Sequence, residues 1–194
     1  MSDSTDPVEL TLEGPDAEVA RQLARSLRGS GTRPLHLHCE AAHPVDDAEA
    51  FATWVRLLAS APAPRFAALP QAELGPRGLA VMLSASCVFI GRETRLSADW
   101  QELPGLCVLA RAWLPPEMVP ALLLGGGDLL ETLCRLGAVH RHEDPQSAAA
   151  AAASRATGTL GPRLAAAARA AAELPFAEAF DFDVLNHIHT TGAR

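Results

Sequence analysis

The chain has 194 residues, of which 48% are hydrophobic and 20% charged, and it carries a formal net charge of −7 with a pI near 5.4. This length suits one compact domain, and the acidity argues against nucleic acid as the main partner, because no basic face is available to neutralise phosphates. The start of the chain lacks the basic and apolar regions of a signal peptide, and the longest apolar stretches, of about a dozen residues, are too short to span a bilayer. A cytoplasmic protein that does not enter a membrane is expected.

Strands and helices are predicted to alternate through the first two thirds of the chain. Apolar and polar residues alternate at 7–12 and 34–40, which predicts strands, and 65–69 is typical of a short buried strand. Between the first two strands, Pro15 and Asp16 begin a predicted helix. Such alternation predicts an α/β fold with parallel strand pairs and right-handed crossovers.

The next elements continue the alternation of helices and strands. Asp46 and Glu49 resemble a capping box at the start of a second helix. The run 75–91 divides into a helix that opens at a glycine and a strand at 87–90, and another short strand is expected at 94–97.

The last third is predicted to be mostly helical. Helices are expected at 116–124 and 128–136, followed by a strand at 138–142 and one or two alanine-rich helices within 146–173. The chain is therefore divided into an α/β core at 1–145 and a C-terminal helical segment at 146–194, within a single domain. The four cysteines are widely spaced in apolar runs and are expected to be small buried thiols, without a disulfide or zinc site: Cys39, Cys87, Cys107 and Cys134.

Three segments carry a resemblance to a known family. Residues 34–40 (PLHLHCE), 64–100 (containing the turn GPRG) and 109–139 (ending in LGAV) follow one another in the order and spacing of motifs of the crotonase, or enoyl-CoA hydratase/isomerase, superfamily. The resemblance implies a crotonase-like (ClpP/crotonase) fold, a spiral of ββα units with C-terminal helices. It also implies an acyl-CoA ligand and no further cofactor.

The resemblance assigns the thioester-binding residues. Crotonases hold the thioester carbonyl oxygen with two backbone N–H groups aimed at the charge that develops there. The first comes from a loop after the strand at 34–40; that loop is short here, and Ala41 and Ala42 are its nearest counterparts.

The second N–H group comes from a glycine turn, which here runs from Gly75 to Gly78. Pro76 has no N–H, so a donor exists only if Arg77 or Gly78 occupies the donor position. The chain contains no lysine, so only arginine could contact the phosphates of CoA.

The acid/base glutamates of the family have no direct counterparts. At the first position the chain has Leu79 and Ala80, neither of which can transfer a proton. Near the second position the acids are Asp99 and Glu102, which are the candidate catalytic residues. Ordinary hydration of a double bond relies on two carboxylates and is not expected.

Several other patterns have simpler interpretations. His36 and His38 share one face of a strand while Cys39 points to the other, so an exposed strand face or a trimer contact is favoured over a metal site that includes His43. The glycine run before Asp128 is interpreted as a helix–helix turn capped by that residue, not as a phosphate loop. The pair His140 and His142 is interpreted as a solvated strand end.

Two functions remain open. The chain is either a divergent lyase or isomerase that binds an acyl thioester of CoA or of an acyl carrier protein, or a pseudoenzyme that binds and stabilises a partner enzyme in a biosynthetic pathway. The resemblance also implies a homo-oligomer, a trimer or hexamer formed through the C-terminal helices. The apolar tail around Phe176, Phe180 and Phe182 suits such an interface.

Overall fold

The computed structural model of the protein describes residues 6–39, 44–124 and 127–157, together with residues 163, 166, 167, 178, 181, 182 and 185. The strands are β1 (Val8–Leu12), β2 (Leu35–Cys39), β3 (Arg65–Leu69), β4 (Glu73–Leu74), β5 (Cys87–Gly91), β6 (Arg95–Leu96) and β7 (Val139–His142). The helices are α1 (Asp16–Ser30), α2 (Ala48–Ala59), α3 (Pro76–Ser84), α4 (Leu106–Ala110), α5 (Met118–Leu124), α6 (Leu129–Arg135) and α7 (Pro145–Arg155), with a 3-10 helix at Trp100–Glu102. Within the described residues, no helix has both the length and the apolar character needed to cross a membrane.

Five strands form one parallel sheet in the order β1, β2, β3, β5, β7, so that each new strand lies beside the preceding one. Parallel neighbours require crossover connections, which are almost always right-handed. Because the strands are added in one direction, such crossovers place the connecting helices on one face of the sheet. Strands β4 and β6 form a separate parallel pair. The predicted α/β architecture with parallel strands is confirmed, in a singly wound form.

The main core lies between this face of the sheet and the helices that cover it. Strand β2 contributes alternate residues, Leu35, Leu37 and Cys39, all of which are buried. Helix α2 contributes Phe51 and Trp54, whose rings meet edge to face with centroids 5.0 Å apart. The period of two in β2 and the helical spacing of α2 therefore converge on one apolar layer.

The opposite face of the sheet is covered by α7, which packs on β2, β3, β5 and β7. The buried residues of α7 include Ala149, Ala152 and Ala153; like Ala68 of β3, they lie outside the main core. Alanine side chains allow the helix backbone to approach the strands closely. The alanine-rich sequence thus forms a thin second layer on the sheet.

The predicted elements of the first 145 residues match the structure in type and approximate position. The predicted cap at Asp46 is wrong by one residue: Asp47 caps α2, and its carboxylate accepts hydrogen bonds from the backbone N–H groups of Glu49 and Ala50. Asp128 caps α6 as predicted, accepting from the N–H of Glu131 at 2.9 Å.

Three short elements were not predicted, namely β4, α4 and the 3-10 helix. The expectation of buried cysteines is wrong for Cys107, which is exposed, whereas Cys39 is buried. Helix α7 occupies the start of the predicted helical segment 146–173. Most of the rest of that segment, and Phe176 and Phe180 of the tail, lie outside the described residues.

Candidate functional site

The turn before α3 has the form that the sequence predicts. Gly75 is the N-cap residue and is extended (φ −78°, ψ −174°), Pro76 occupies the first helical position, and the first bond of the i to i−4 ladder runs from the N–H of Leu79 to the carbonyl of Gly75 at 3.0 Å. The N–H groups of Arg77 and Gly78 precede that bond, so α3 itself provides no acceptor for them. Both N–H groups are therefore candidates for the donor position beside Pro76.

This turn lies at the carboxyl edge of the main sheet. The chain leaves β3 at Leu69 and reaches α3 through the short strand β4. The neighbouring strand β2 ends at Cys39, where the segment that holds Ala41 and Ala42 begins; these two residues lie outside the described part of the chain. In parallel sheets, ligands bind beyond the carboxyl ends of the strands, and the predicted thioester-binding segments both follow such ends.

The side chain of Arg77 points into the protein. It is 1% exposed, its Nη2 atom lies 3.1 Å from Oδ1 of Asp16, which is fully buried, and its guanidinium carbon lies 5.9 Å from the ring centroid of Trp54. Its Nε, Nη1 and Nη2 atoms have no hydrogen-bond partner in the described residues, so the contact with Asp16 is an ion pair without a hydrogen bond. This guanidinium is therefore held by an ion pair and by the aromatic face of Trp54. Of the polar groups of Arg77, only the backbone N–H remains a candidate for thioester binding.

Asp16 connects the starts of three helices. Its Oδ1 accepts a hydrogen bond from Nε1 of Trp54 at 2.9 Å as well as the ion pair from Arg77, and its Oδ2 accepts from the N–H groups of Asp46 at 2.9 Å and Asp47 at 3.4 Å. The N–H of Asp16 in turn donates to the Asp46 carboxylate at 2.9 Å. That backbone hydrogen bond, followed by the contact with the Asp16 carboxyl, lowers the pKa of Asp46.

The network around Asp16 was not predicted. A signal exists in the sequence, because Arg77 is the one charged residue within the apolar run of α3, and an arginine in a buried position needs an anionic partner. Which acid would supply that partner depends on the packing of α1, α2 and α3, and a local pattern does not contain this information.

The candidate acids lie on the surface. Asp99 immediately precedes the 3-10 helix and Glu102 is its last residue; both are exposed. The Asp99 carboxylate accepts a short hydrogen bond from the hydroxyl of Ser97. Leu79 and Ala80, at the position that the resemblance assigns to the first glutamate, are fully buried. The structure thus has apolar core residues at the first assigned position and exposed carboxylates near the second.

The histidine patterns differ in their surroundings. His140 and His142 are exposed, as predicted for a solvated strand end, and the ring of His140 stacks on Phe89. His36 and His38 share a face, as predicted, but the expectation of an exposed face is wrong for His36, which is 3% exposed.

The sequence matches no known protein-family profile, and no curated protein is detectably similar to it. Solved structures are similar in fold. An enoyl-CoA hydratase/isomerase family protein from Hyphomonas neptunium is 16% identical with a TM-score of 0.67, over 95% of this chain and 87% of that chain. A protein described as an enoyl-CoA hydratase/carnithine racemase, from Magnetospirillum magneticum AMB-1, is 16% identical with a TM-score of 0.58, over 91% and 80%.

A third structure, of an enoyl-CoA hydratase/isomerase from Acinetobacter baumannii, is 18% identical with a TM-score of 0.52, over 96% of this chain and 87% of that chain. All three alignments cover nearly the whole of this chain and most of the other. The order of elements and the parallel sheet agree with the fold that the resemblance implies. The chain has the crotonase-like fold of the enoyl-CoA hydratase/isomerase family proteins.

Proposed function

We propose that the protein binds an acyl thioester, carried on CoA or on an acyl carrier protein, and has no ordinary hydratase activity. The observation that supports this proposal is the start of α3, where the N–H groups of Arg77 and Gly78 lie before the first helical hydrogen bond, at the carboxyl edge of a crotonase-like sheet. The positive end of the helix dipole adds to the attraction for a carbonyl oxygen with partial negative charge.

The fixed position of this turn favours binding. Asp16 ties the side chain of Arg77 to the starts of α1 and α2 through the ion pair of 3.1 Å and the hydrogen bonds to Asp46 and Asp47. Donors that are already oriented need no rearrangement when the ligand arrives. The segment with Ala41 and Ala42 would supply the second donor, in the place that the family resemblance assigns to it.

The side chains near the turn argue against hydration. Addition of water across a double bond uses one carboxylate to activate the water and another group to protonate carbon. Leu79 and Ala80 are buried and cannot do either. Asp99 and Glu102 are exposed to solvent.

Calorimetric titration with a matched pair of ligands tests the proposal. The first ligand is butyryl-CoA, and the second is S-butyl-CoA, a thioether that lacks the carbonyl oxygen. If the α3 turn holds that oxygen, the thioester binds about tenfold more tightly than the thioether, since a hydrogen bond between neutral groups contributes about 0.5–1.5 kcal/mol and two donors are proposed. Equal affinities, or no binding of either ligand, would contradict the proposal.

Crotonyl-CoA hydration, measured at high protein concentration, tests the second half of the proposal. We expect no turnover above the uncatalysed rate, because the buried Leu79 replaces an acid. The variants Asp99→Asn and Glu102→Gln serve as controls: if turnover is present and falls in either variant, the exposed acids are catalytic and the protein is an active enzyme.

The alternative is a non-catalytic accessory protein that stabilises a partner enzyme. Exposed apolar side chains on α4 and α5 favour it, namely Val108 at 73% exposure and Leu124 at 87%. This alternative predicts that the protein captures its partner from the producing cell, and that the double variant Val108→Asp, Leu124→Asp does not. Capture without thioester binding would favour the accessory role, and thioester binding without capture would exclude it.

A further inference from the structure

Three polar side chains meet on the face of the sheet opposite the main core. His36 and His38 are alternate residues of β2 and therefore project to the same side. Glu9 of the edge strand β1 stands directly beside His36, since the parallel register pairs these two residues. The carboxylate lies between the two rings, with Oε1 3.0 Å from Nδ1 of His36 and Oε2 2.6 Å from Nε2 of His38.

The three side chains can offer their ligand atoms to one point. One nitrogen of each histidine and one oxygen of Glu9 lie within 4.8 Å of one another, and the two ring centroids are 4.2 Å apart. At a tetrahedral zinc ion, with bonds of about 2.0–2.1 Å, ligand atoms are about 3.4 Å apart. The present separations, 2.6 and 3.0 Å for the two Glu9 contacts and within 4.8 Å for the whole set, lie on both sides of this value, so small side-chain rotations can bring the ligand atoms to it.

The three side chains differ in their exposure to solvent. His36 is 3% exposed, His38 is 29% exposed and Glu9 is 62% exposed. An ion can therefore approach from the side of Glu9, and the two more exposed ligands can move to receive it while His36 stays in place. The fourth coordination position would face solvent and take a water molecule.

The ligand types select the class of metal. Two imidazole nitrogens and one carboxylate oxygen suit zinc and the other divalent transition metals, whereas magnesium and calcium prefer oxygen ligands. We propose that Glu9, His36 and His38 form a binding site for a divalent transition metal ion, with zinc as the expected occupant.

The surroundings of His36 limit the affinity. Its Nδ1 faces Glu9, and its Nε2 is buried without a hydrogen-bond partner in the described residues. Ligand histidines usually donate their second N–H to a carbonyl or carboxylate, and loss of that support weakens metal binding by about 10- to 100-fold. We therefore expect a dissociation constant in the micromolar range.

Calorimetric titration with zinc chloride tests the site, using the full chain with His142→Gln, His187→Gln and His189→Gln. These changes remove the other two His-x-His sequences, which lie on β7 and near the C-terminus. We expect one zinc ion per chain. The single variants Glu9→Gln and His38→Gln, made in that background, should each weaken binding at least tenfold. His140→Gln is the matched control, an exposed histidine on β7 of the same sheet, and should leave the affinity unchanged.

Circular dichroism of each variant shows whether the fold is retained, which is expected because Glu9 and His38 are both accessible to solvent. A second measurement requires no variant at the site: cobalt(II), bound in place of zinc, should give visible absorption bands typical of nitrogen and oxygen ligands in four-coordinate geometry. Absence of zinc binding in the background chain, or equal affinities in Glu9→Gln, His38→Gln and His140→Gln, would overturn the proposal.

Discussion

At the scale of single residues, the fully buried carboxylate of Asp16 has the largest set of partners at the candidate site. It accepts a hydrogen bond from Trp54 of α2 and forms an ion pair with Arg77 of α3, while its own N–H belongs to the first turn of α1. A buried charge is tolerable only when it is paired and hydrogen-bonded. The pair also orients α3, whose first turn carries the candidate thioester donors.

Replacement of Asp16 by Asn should therefore be strongly destabilising. The side chain keeps its size but leaves the Arg77 guanidinium without an anion in the core, a change that typically costs about 3–5 kcal/mol. The free energy of unfolding, measured with urea by tryptophan fluorescence, checks the prediction. Asp47→Asn is the control: it makes the same chemical change at an exposed helix cap, where Asn and Asp are equivalent, and an equal loss in both variants would contradict the role of the buried pair.

The cysteines should differ in reactivity. Burial raises the pKa of the Cys87 thiol, and burial likewise raises the pKa of Cys134, so that little reactive thiolate is present near neutral pH. Cys107 is exposed and Cys39 is buried. Alkylation by iodoacetamide, followed by peptide mass spectrometry, should modify Cys107 first, and labelling of Cys87 should accelerate steeply as the pH is raised. Equal labelling rates in the folded protein would contradict this expectation.

At the scale of elements, α7 is held at its start by Asp144. Its carboxylate accepts hydrogen bonds from the hydroxyl of Ser147 at 2.5 Å and from the backbone N–H of Ser147 at 3.0 Å. The bond from the Ser147 hydroxyl is the main cause that lowers the pKa of Asp144, and the bond from the N–H adds to it. The ionised form of this residue therefore stabilises the fold.

This lowered pKa predicts an acid-dependent contribution to stability. A carboxyl group whose pKa is lower in the folded than in the unfolded state stabilises the protein above the unfolded value of 3.8. That contribution is lost as the pH falls through the folded value. Asp144→Asn keeps an acceptor at the cap but does not titrate. The melting temperature of the natural protein should exceed that of the variant at about pH 6, and the difference should shrink at about pH 3; a constant difference would contradict the assignment.

The close approach of α7 to the sheet can be tested by a change in side-chain volume. Ala153 is fully buried on the sheet side of α7, and Ala151 is exposed on the same helix. Ala153→Leu should lower the free energy of unfolding by about 1–3 kcal/mol, because a well-packed layer has no room for added carbons. Ala151→Leu adds the same atoms in solvent and should leave stability nearly unchanged; a similar effect of both variants would place α7 farther from the strands.

Apart from the two-residue strand β6, the elements that the sequence predicts are those long enough to show a periodic pattern. Strand β2 shows three alternations and α2 shows its apolar stripe over three turns, and such periods are local properties. Strand β4 has two residues, the 3-10 helix three and α4 five, which is too short for a period to appear. The glycine turn before α3 was predictable for the same local reason, since Pro76 after Gly75 is a helix-start signal.

The contacts that complete the candidate site were not predictable in this way. The ion pair between Arg77 and Asp16, and the convergence of Glu9 with His36 and His38, join residues on different elements. Their encounter depends on strand register and helix packing. The period of two in β2 places both histidines on one face, as predicted, but only the pairing of β1 with β2 adds the carboxylate.

At the scale of the whole molecule, apolar side chains remain exposed in the C-terminal part. Phe182 is 42% exposed and Leu185 is 57% exposed. We expect these residues to be covered by a second copy of the chain, in keeping with the predicted trimer or hexamer. Light scattering after size exclusion should then give a multiple of 20.4 kDa, and Phe182→Ser with Leu185→Ser should shift the mass toward one chain.

The control for this measurement is Leu136→Ser, which removes an apolar side chain of similar exposure, 55%, after α6. It should leave the assembly intact. A natural protein that elutes with the mass of one chain would contradict self-association.

The agreement between strand order and chain order has a consequence for how the protein is made. Each strand of the main sheet pairs with the strand that the ribosome released immediately before it, apart from the short β4 and β6. No strand must wait for a distant one before it can pair, and pairings between near neighbours in sequence lower the entropic cost of closing loops. The sheet can therefore grow in one direction during synthesis, from β1 to β7. Helix α7 follows β7 in the chain and then covers the second face of the sheet.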